Sequence, residues 1–126
     1  MPLQAGLAAS VTMTVSSADT AIALRSGSVP VLATPRLLAL CEEAAVQAVH
    51  ARLDEAATTV GVQVMLDHVS ASPVGRQVTA EATLEKVAGR KLYFTVAARD
   101  DRGGLVAAGR VTRVVVDEAQ FLEKCR

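Results

Sequence analysis

The spacing of apolar residues changes along the chain, and each change marks a change of secondary structure. From Leu7 to Val15 the residues read Leu-Ala-Ala-Ser-Val-Thr-Met-Thr-Val, alternating from Ser10 onward, which predicts a strand. Ser16 to Ser28 is small, polar and glycine-containing and reads as a loop, with room for a helical turn about Thr20–Arg25. A short extended piece, Val29–Ala33, follows. At Ala33-Thr34-Pro35 a helix start is expected. Threonine is a good N-cap, because its hydroxyl accepts from an orphaned backbone N–H, and proline loses nothing at the first helical position. From Arg36 to about Leu53, the residues Leu38, Cys41, Ala45, Val49 and Leu53 recur at three-and-four spacing. That is the stripe of a helix with one buried side.

After the helix the period falls to two. Thr59–Ser70, Gln77–Val87, Lys91–Asp100 and Leu105–Val116 are valine-rich and nearly alternating, so four strands are expected. Ser72-Pro73-Val74-Gly75, Ala88-Gly89-Arg90 and Asp100-Asp101-Arg102-Gly103-Gly104 supply the turns, the last two short enough for antiparallel hairpins. The tail Glu118–Arg126 reads as a final helical turn or a frayed end. One helix on one antiparallel sheet is a two-layer α+β arrangement. Such a sheet has open edges, commonly closed by pairing across a two-fold dimer.

Composition narrows the field. The 126 residues suit a single domain spanning 1–126. Aromatics are only 2% of the chain, so the core must be built from Val, Leu and Ala. Thirteen basic residues balance thirteen acidic ones. There is no basic field for nucleic acid and no polybasic patch for a membrane surface. An anionic substrate must therefore be caught locally. Cys41 and Cys125 have neither metal-site spacing nor a disulfide framework, and they read as a core thiol and a tail thiol in a reducing compartment. No cofactor or metal site is expected. No leader and no apolar run of about 20 residues stands out, so the expected location is the cytoplasm.

Chemistry has few places to reside. Glu43 shares a helix face with Ala39, Gln47 and His50, whereas Glu42 lies beside the buried stripe. A carboxylate there must be paired, protonated or used. His68 stands near the end of the first long strand, on the face of Leu66 and Val64, with Asp67 on the other. Gly61 begins the same strand, where a glycine signals a bulge. Each has a plain structural reading: a solvent-reaching glutamate, a satisfied histidine, a loop remnant, and a helix cap in Thr34.

Taken together, Thr34, Glu42, Gly61 and His68 carry a pattern. The order Ala-Thr-Pro, Cys-Glu-Glu-Ala, Asp-His-Val-Ser-Ala-Ser-Pro-Val-Gly resembles the fluoroacetyl-CoA thioesterase branch of the hot-dog superfamily. That family has a threonine eight residues before a helix glutamate, and a histidine seven residues after a glycine. His68, Ala71, Pro73 and Gly75 approximate the stretch that follows the histidine. Glu85-Lys86-Val87-Ala88-Gly89-Arg90-Lys91-Leu92 resembles the family's later hairpin. The resemblance spans roughly Val29 to Asp100.

It implies a hot-dog fold, with a central helix wrapped by a curved antiparallel sheet of five or six strands, acting as a homodimer or tetramer on an acyl-CoA. Glu42 would attack the thioester carbon or activate a water. His68 would assist departure of the thiolate, Thr34 would orient the acyl group or the glutamate, and the Gly61 N–H would face the developing oxyanion. If both Thr34 and Glu42 are helical, they sit about 12 Å apart along the axis. The phenylalanine-rich lid of the fluoroacetate-specific member is missing from Ala18–Val31, so the Val, Leu and Ala walls point to a short or medium acyl group instead. Arg36, Arg76, Arg90 and Lys91 are candidates for the CoA phosphates. Two other readings use the same fold: a non-catalytic module binding acyl-CoA or a small ligand, and a dehydratase or hydratase. The latter usually pairs an aspartate or histidine on the helix with a different loop motif.

Overall fold

The computed structural model describes residues 2–126. Five strands and one long helix follow the expected order: β1 (Ala8–Thr14), α1 (Thr34–His50), β2 (Ala57–His68), β3 (Gln77–Ala88), β4 (Lys91–Asp100) and β5 (Leu105–Asp117). A short closing helix, α2 (Glu118–Glu123), settles the tail; the Asp117 carboxylate caps it by accepting from the Gln120 N–H. All strand pairings are antiparallel, in the order β1-β3-β4-β5-β2. Strand β2, early in sequence, therefore lies at the outer edge, and β1 forms the other edge. Register shifts at Gly61/Gln63, Leu84/Lys86 and Ala98/Arg99 are β-bulges, which bend a sheet and increase its twist.

The helix lies on the concave face, mainly over β1 and β3. Its buried residues are Leu37, Leu40, Cys41, Ala44, Ala45, Ala48 and Val49. This corrects the expected stripe: Leu38 is only half-buried and Leu53 lies beyond the helix end. Ala44, Ala45 and Ala48 of the helix share one buried core with Ala80, Ala82 and Ala98 of the sheet. Small residues on both sides let helix and sheet approach closely, which is how a core with one large ring, Phe94, excludes water.

Two further corrections concern the start of the helix. Ala33 is the N-cap, without a side-chain cap bond, and Thr34 is already helical with Pro35 behind it. The Thr34 hydroxyl is thus free for another partner. Before it, the loop after β1 is tied down by the Asp19–Arg36 ion pair at 3.1 Å, the Thr20–Leu32 bridge and the Leu32 N–H bonded to the Ser72 carbonyl. Burial works against the Asp19 charge, but bonds from Ser16 and Arg36 outweigh it and hold the carboxyl below its usual range.

At Gly109 on β5, opposite Leu66 on β2, a methyl group would overlap the Met65 carbonyl oxygen and press on Leu66 Cα. Both obstacles are backbone, so neither can swing aside. Gly109→Ala is expected to lose about 2–3 kcal/mol in urea unfolding, the cost of overpacking a closed site. A loss under about 0.5 kcal/mol would contradict the close approach.

Candidate active site

The inward-facing residues of β2 and its neighbour β5 come in register, Gly61 opposite Arg113 and His68 opposite Ala107. Two polar clusters form along this pair of strands. The first is built from Glu42 on α1, Gly61 on β2 and Arg113 on β5. Arg113 is only 7% exposed, on the face that alternation assigns to the core. Its Nε donates to Thr59 Oγ1 and one terminal nitrogen donates to the Thr59 carbonyl, both at 2.9 Å. Nη1 donates to Glu42 Oε2, also at 2.9 Å. Burial pushes the guanidinium below its ordinary value, opposed by the charge and hydrogen bond of Glu42. Glu42 Oε1 makes no hydrogen bond among the described residues, so one oxygen of the carboxylate is anchored and the other is free.

Gly61 is what makes room for this pair. A Cβ there would lie 2.6 Å from Glu42 Oε2 and 3.2 Å from Arg113 Nη1, so any side chain would displace the carboxylate. The bulge at Gly61/Gln63 also takes local backbone out of the regular ladder, freeing polar groups beside the glutamate. Next to Glu42, the Cys41 thiol is fully buried. Burial, then the glutamate charge, push it up to about 11, so it stays a neutral packing group. Cys125 is exposed, and both cysteines are free.

The second cluster is at the far end of β2. His68 Nδ1 is 2.8 Å from Thr34 Oγ1, which explains why the threonine hydroxyl does not cap its helix. The other ring nitrogen, Nε2, is buried with no hydrogen-bond partner among the described residues. A cavity of about 250 Å³ beside it is lined by Val31, His68, Val69, Ser70 and Ala71. The structure therefore brings Thr34 to His68 and Glu42 to Gly61, but leaves the two pairs apart. Gly61 and His68 are six β5 positions from each other in register, or roughly 20 Å at strand spacing.

Arg113 is the residue that sequence reasoning missed. The signal was present: in Val111-Thr112-Arg113-Val114-Val115 the arginine takes an inward position, and a charge there demands a partner. Of the four residues considered for CoA phosphates, Arg36 and Arg76 are engaged by Asp19 and by Asp100 and Asp101. Arg90 and Lys91 lie at the β3–β4 hairpin. Among the described residues no group of three or more His, Cys, Asp or Glu could hold a metal ion, and no helix is long and apolar enough to cross a membrane.

Comparison with known proteins points in one direction. Residues 15–119 match the fluoroacetyl-CoA-specific thioesterase family. A fluoroacetyl-CoA thioesterase from Streptantibioticus cattleyicolor is 32% identical over 96 residues, covering 76% of this chain and 68% of that protein. A solved fluoroacetyl-CoA thioesterase superposes with a TM-score of 0.93 at 26% identity, covering all of this chain and 97% of the other. A thioesterase superfamily member from Thermus thermophilus gives 0.92 at 25% identity, covering 99% and 92%.

The ion pair makes an energetic prediction. Breaking a fully buried pair costs about 3–5 kcal/mol, but the Glu42 side chain is 33% exposed, which lowers the figure. Arg113→Met should cost about 2 kcal/mol in urea unfolding, and adding Glu42→Gln should cost little more, since the two act as one unit. Fully additive losses would show that the residues are not coupled.

Proposed function

Because the chain belongs to the fluoroacetyl-CoA-specific thioesterase family, we propose that it hydrolyses a short or medium aliphatic acyl-CoA at a site shared between two copies of itself. The observation that supports this reading is the separation of the two polar clusters along β2. Glu42 and His68 of one chain are too far apart to act on one thioester, yet each has the chemistry the other lacks.

The free edge of β2 supplies a way to bring them together. Val69 N–H bonds back to Val106 on β5, so in an antiparallel ladder Val64, Leu66 and His68 turn their N–H and C=O groups outward. The edge is twelve residues long and uncharged from Val60 to Leu66. Val62, Val64 and Met65 are 54%, 44% and 56% exposed. Edge strands are normally blunted by charge, cover or a bulge; this one carries only the bulge at Gly61/Gln63. Antiparallel pairing with a second copy about an axis at Met65 sets Val64 opposite the partner's Leu66 and brings Gly61 beside the partner's His68. A homodimer of this kind holds two identical sites.

In each site the roles follow from the local chemistry. Glu42, held by Arg113 through Oε2, attacks the thioester carbon through Oε1, either itself or by taking a proton from a water. Backbone N–H groups at the Gly61 bulge stabilise the oxyanion. Thr34 donates to Nδ1 of His68, which leaves the proton on Nε2 for the departing CoA thiolate. Proton transfers of this kind are worth about 10²–10⁴ in rate. The aliphatic side chains around His68 suit an apolar acyl group, and none of the three aromatic residues lies between Ala18 and Val31 to gate it.

Thiol release from acyl-CoAs of two to ten carbons tests the reading. Glu42→Gln and His68→Ala should each lower kcat about 10²-fold or more without loss of fold by circular dichroism. Activity that persists in Glu42→Gln would remove the glutamate from the chemistry. Acyl-CoA binding without turnover in the wild type would instead favour a ligand-binding module.

A further inference from the structure

The convex face of the sheet carries a second feature, distinct from the catalytic cleft. Gln63 and Met65 on β2, Tyr93 and Phe94 on β4, and Arg110, Val111 and Thr112 on β5 line a groove of about 230 Å³. Along the strands the side chains of Met65, Tyr93, Arg110 and Thr112 alternate with the inward Phe94, Val111 and Arg113, which are buried. The groove therefore opens on the side of the sheet away from Glu42 and His68.

Its chemistry is unusual for this chain. Tyr93 is the sole tyrosine and the only ring on the face. Arg110 is exposed and forms no ion pair among the described residues. Lys86, likewise without an ion pair, holds its ammonium 5.7 Å from the Tyr93 ring centroid. No carboxylate lines the groove. Arg110 and Lys86, neither of them ion-paired among the described residues, stand beside this aromatic surface, with the Glu85 carboxylate turned to the Thr95 hydroxyl next to them. Together the two cations and the ring form a local attraction for a flat anion. An aromatic side chain gives a base something to stack on, and a guanidinium binds phosphate through two parallel hydrogen bonds. The Gln63 amide offers a donor and an acceptor together, the pairing that reads the edge of adenine. The space is below the roughly 300 Å³ of a drug-sized site, so it admits one ring system and not a whole extended cofactor.

We propose that this groove binds an adenosine phosphate, with the base against Tyr93 and Gln63 and the phosphate on Arg110 and Lys86. The ligand is either a free nucleotide or the phosphoadenosine end of a CoA molecule. None of its side chains reaches Glu42 or His68, so the groove takes no part in the chemical step itself.

Equilibrium dialysis with adenosine monophosphate, using the full chain, tests the assignment. Saturable binding is expected, weakened at least about tenfold by Arg110→Gln and by Tyr93→Leu but unchanged by Arg102→Gln, an exposed arginine elsewhere. Because Arg110 is exposed, its substitution should leave the fold and kcat intact, which separates this result from a failure of the catalytic reading. Displacement by CoA lacking its sulfur would assign the groove to the cofactor's nucleotide end. Its failure to displace would assign it to a free nucleotide. No saturable binding at millimolar nucleotide, or binding indifferent to Arg110→Gln, overturns the proposal.

Discussion

The chemistry proposed for this protein depends on one long strand whose outer edge has no partner among the described residues. Strand β2 runs from Ala57 to His68 on the outside of the sheet. Near one end it meets a glutamate and an arginine, and at the other end its own histidine meets a threonine. Roughly 20 Å of extended chain keeps the clusters apart, and no side-chain rotation can close that distance. The proposed twofold partner along the same edge would do so without any change in either chain. On that proposal assembly and catalysis become one problem, met by one row of backbone hydrogen bonds between the two edges.

The charge arrangement follows the same economy. Arg113 is carried into the interior by the alternation of β5, and its burial is tolerable because Thr59 and Glu42 satisfy its donors. Glu42 in turn stays at the cleft because Gly61 has no side chain to displace it. Removing the glutamate would leave a buried cation, and adding a methyl at Gly61 would move the glutamate. The small-residue packing of α1 on the sheet, Ala44, Ala45 and Ala48 in one core with Ala80, Ala82 and Ala98, places the helix close enough for Glu42 to reach β5.

Much of this was legible in the sequence, and the remainder was hidden for identifiable reasons. The switch from helical to alternating spacing located α1 and the four later strands, because those periods differ so clearly. Thr34, Glu42, Gly61 and His68 stand out together only through their resemblance to the pattern of the fluoroacetyl-CoA thioesterase branch. Thr34 was assigned to capping since Thr-Pro fits that role, and only the tertiary contact with His68 shows its hydroxyl used elsewhere. The buried stripe of α1 was misplaced at Leu38 because neighbouring positions are nearly all apolar. The separation of the two clusters was unreadable, since it depends on β2 pairing with β5 at a sheet edge, a non-local fact that no spacing encodes.

The shared site can be tested by mixing two dead proteins. Glu42→Gln and His68→Ala, co-refolded in equal amounts, should form half their dimers as hybrids if pairing is random. Each hybrid would hold one intact site, with Glu42 from one chain and His68 from the other, so about a quarter of wild-type activity should return. If hybrids form and no activity returns, each site lies within a single chain and the account of β2 is wrong.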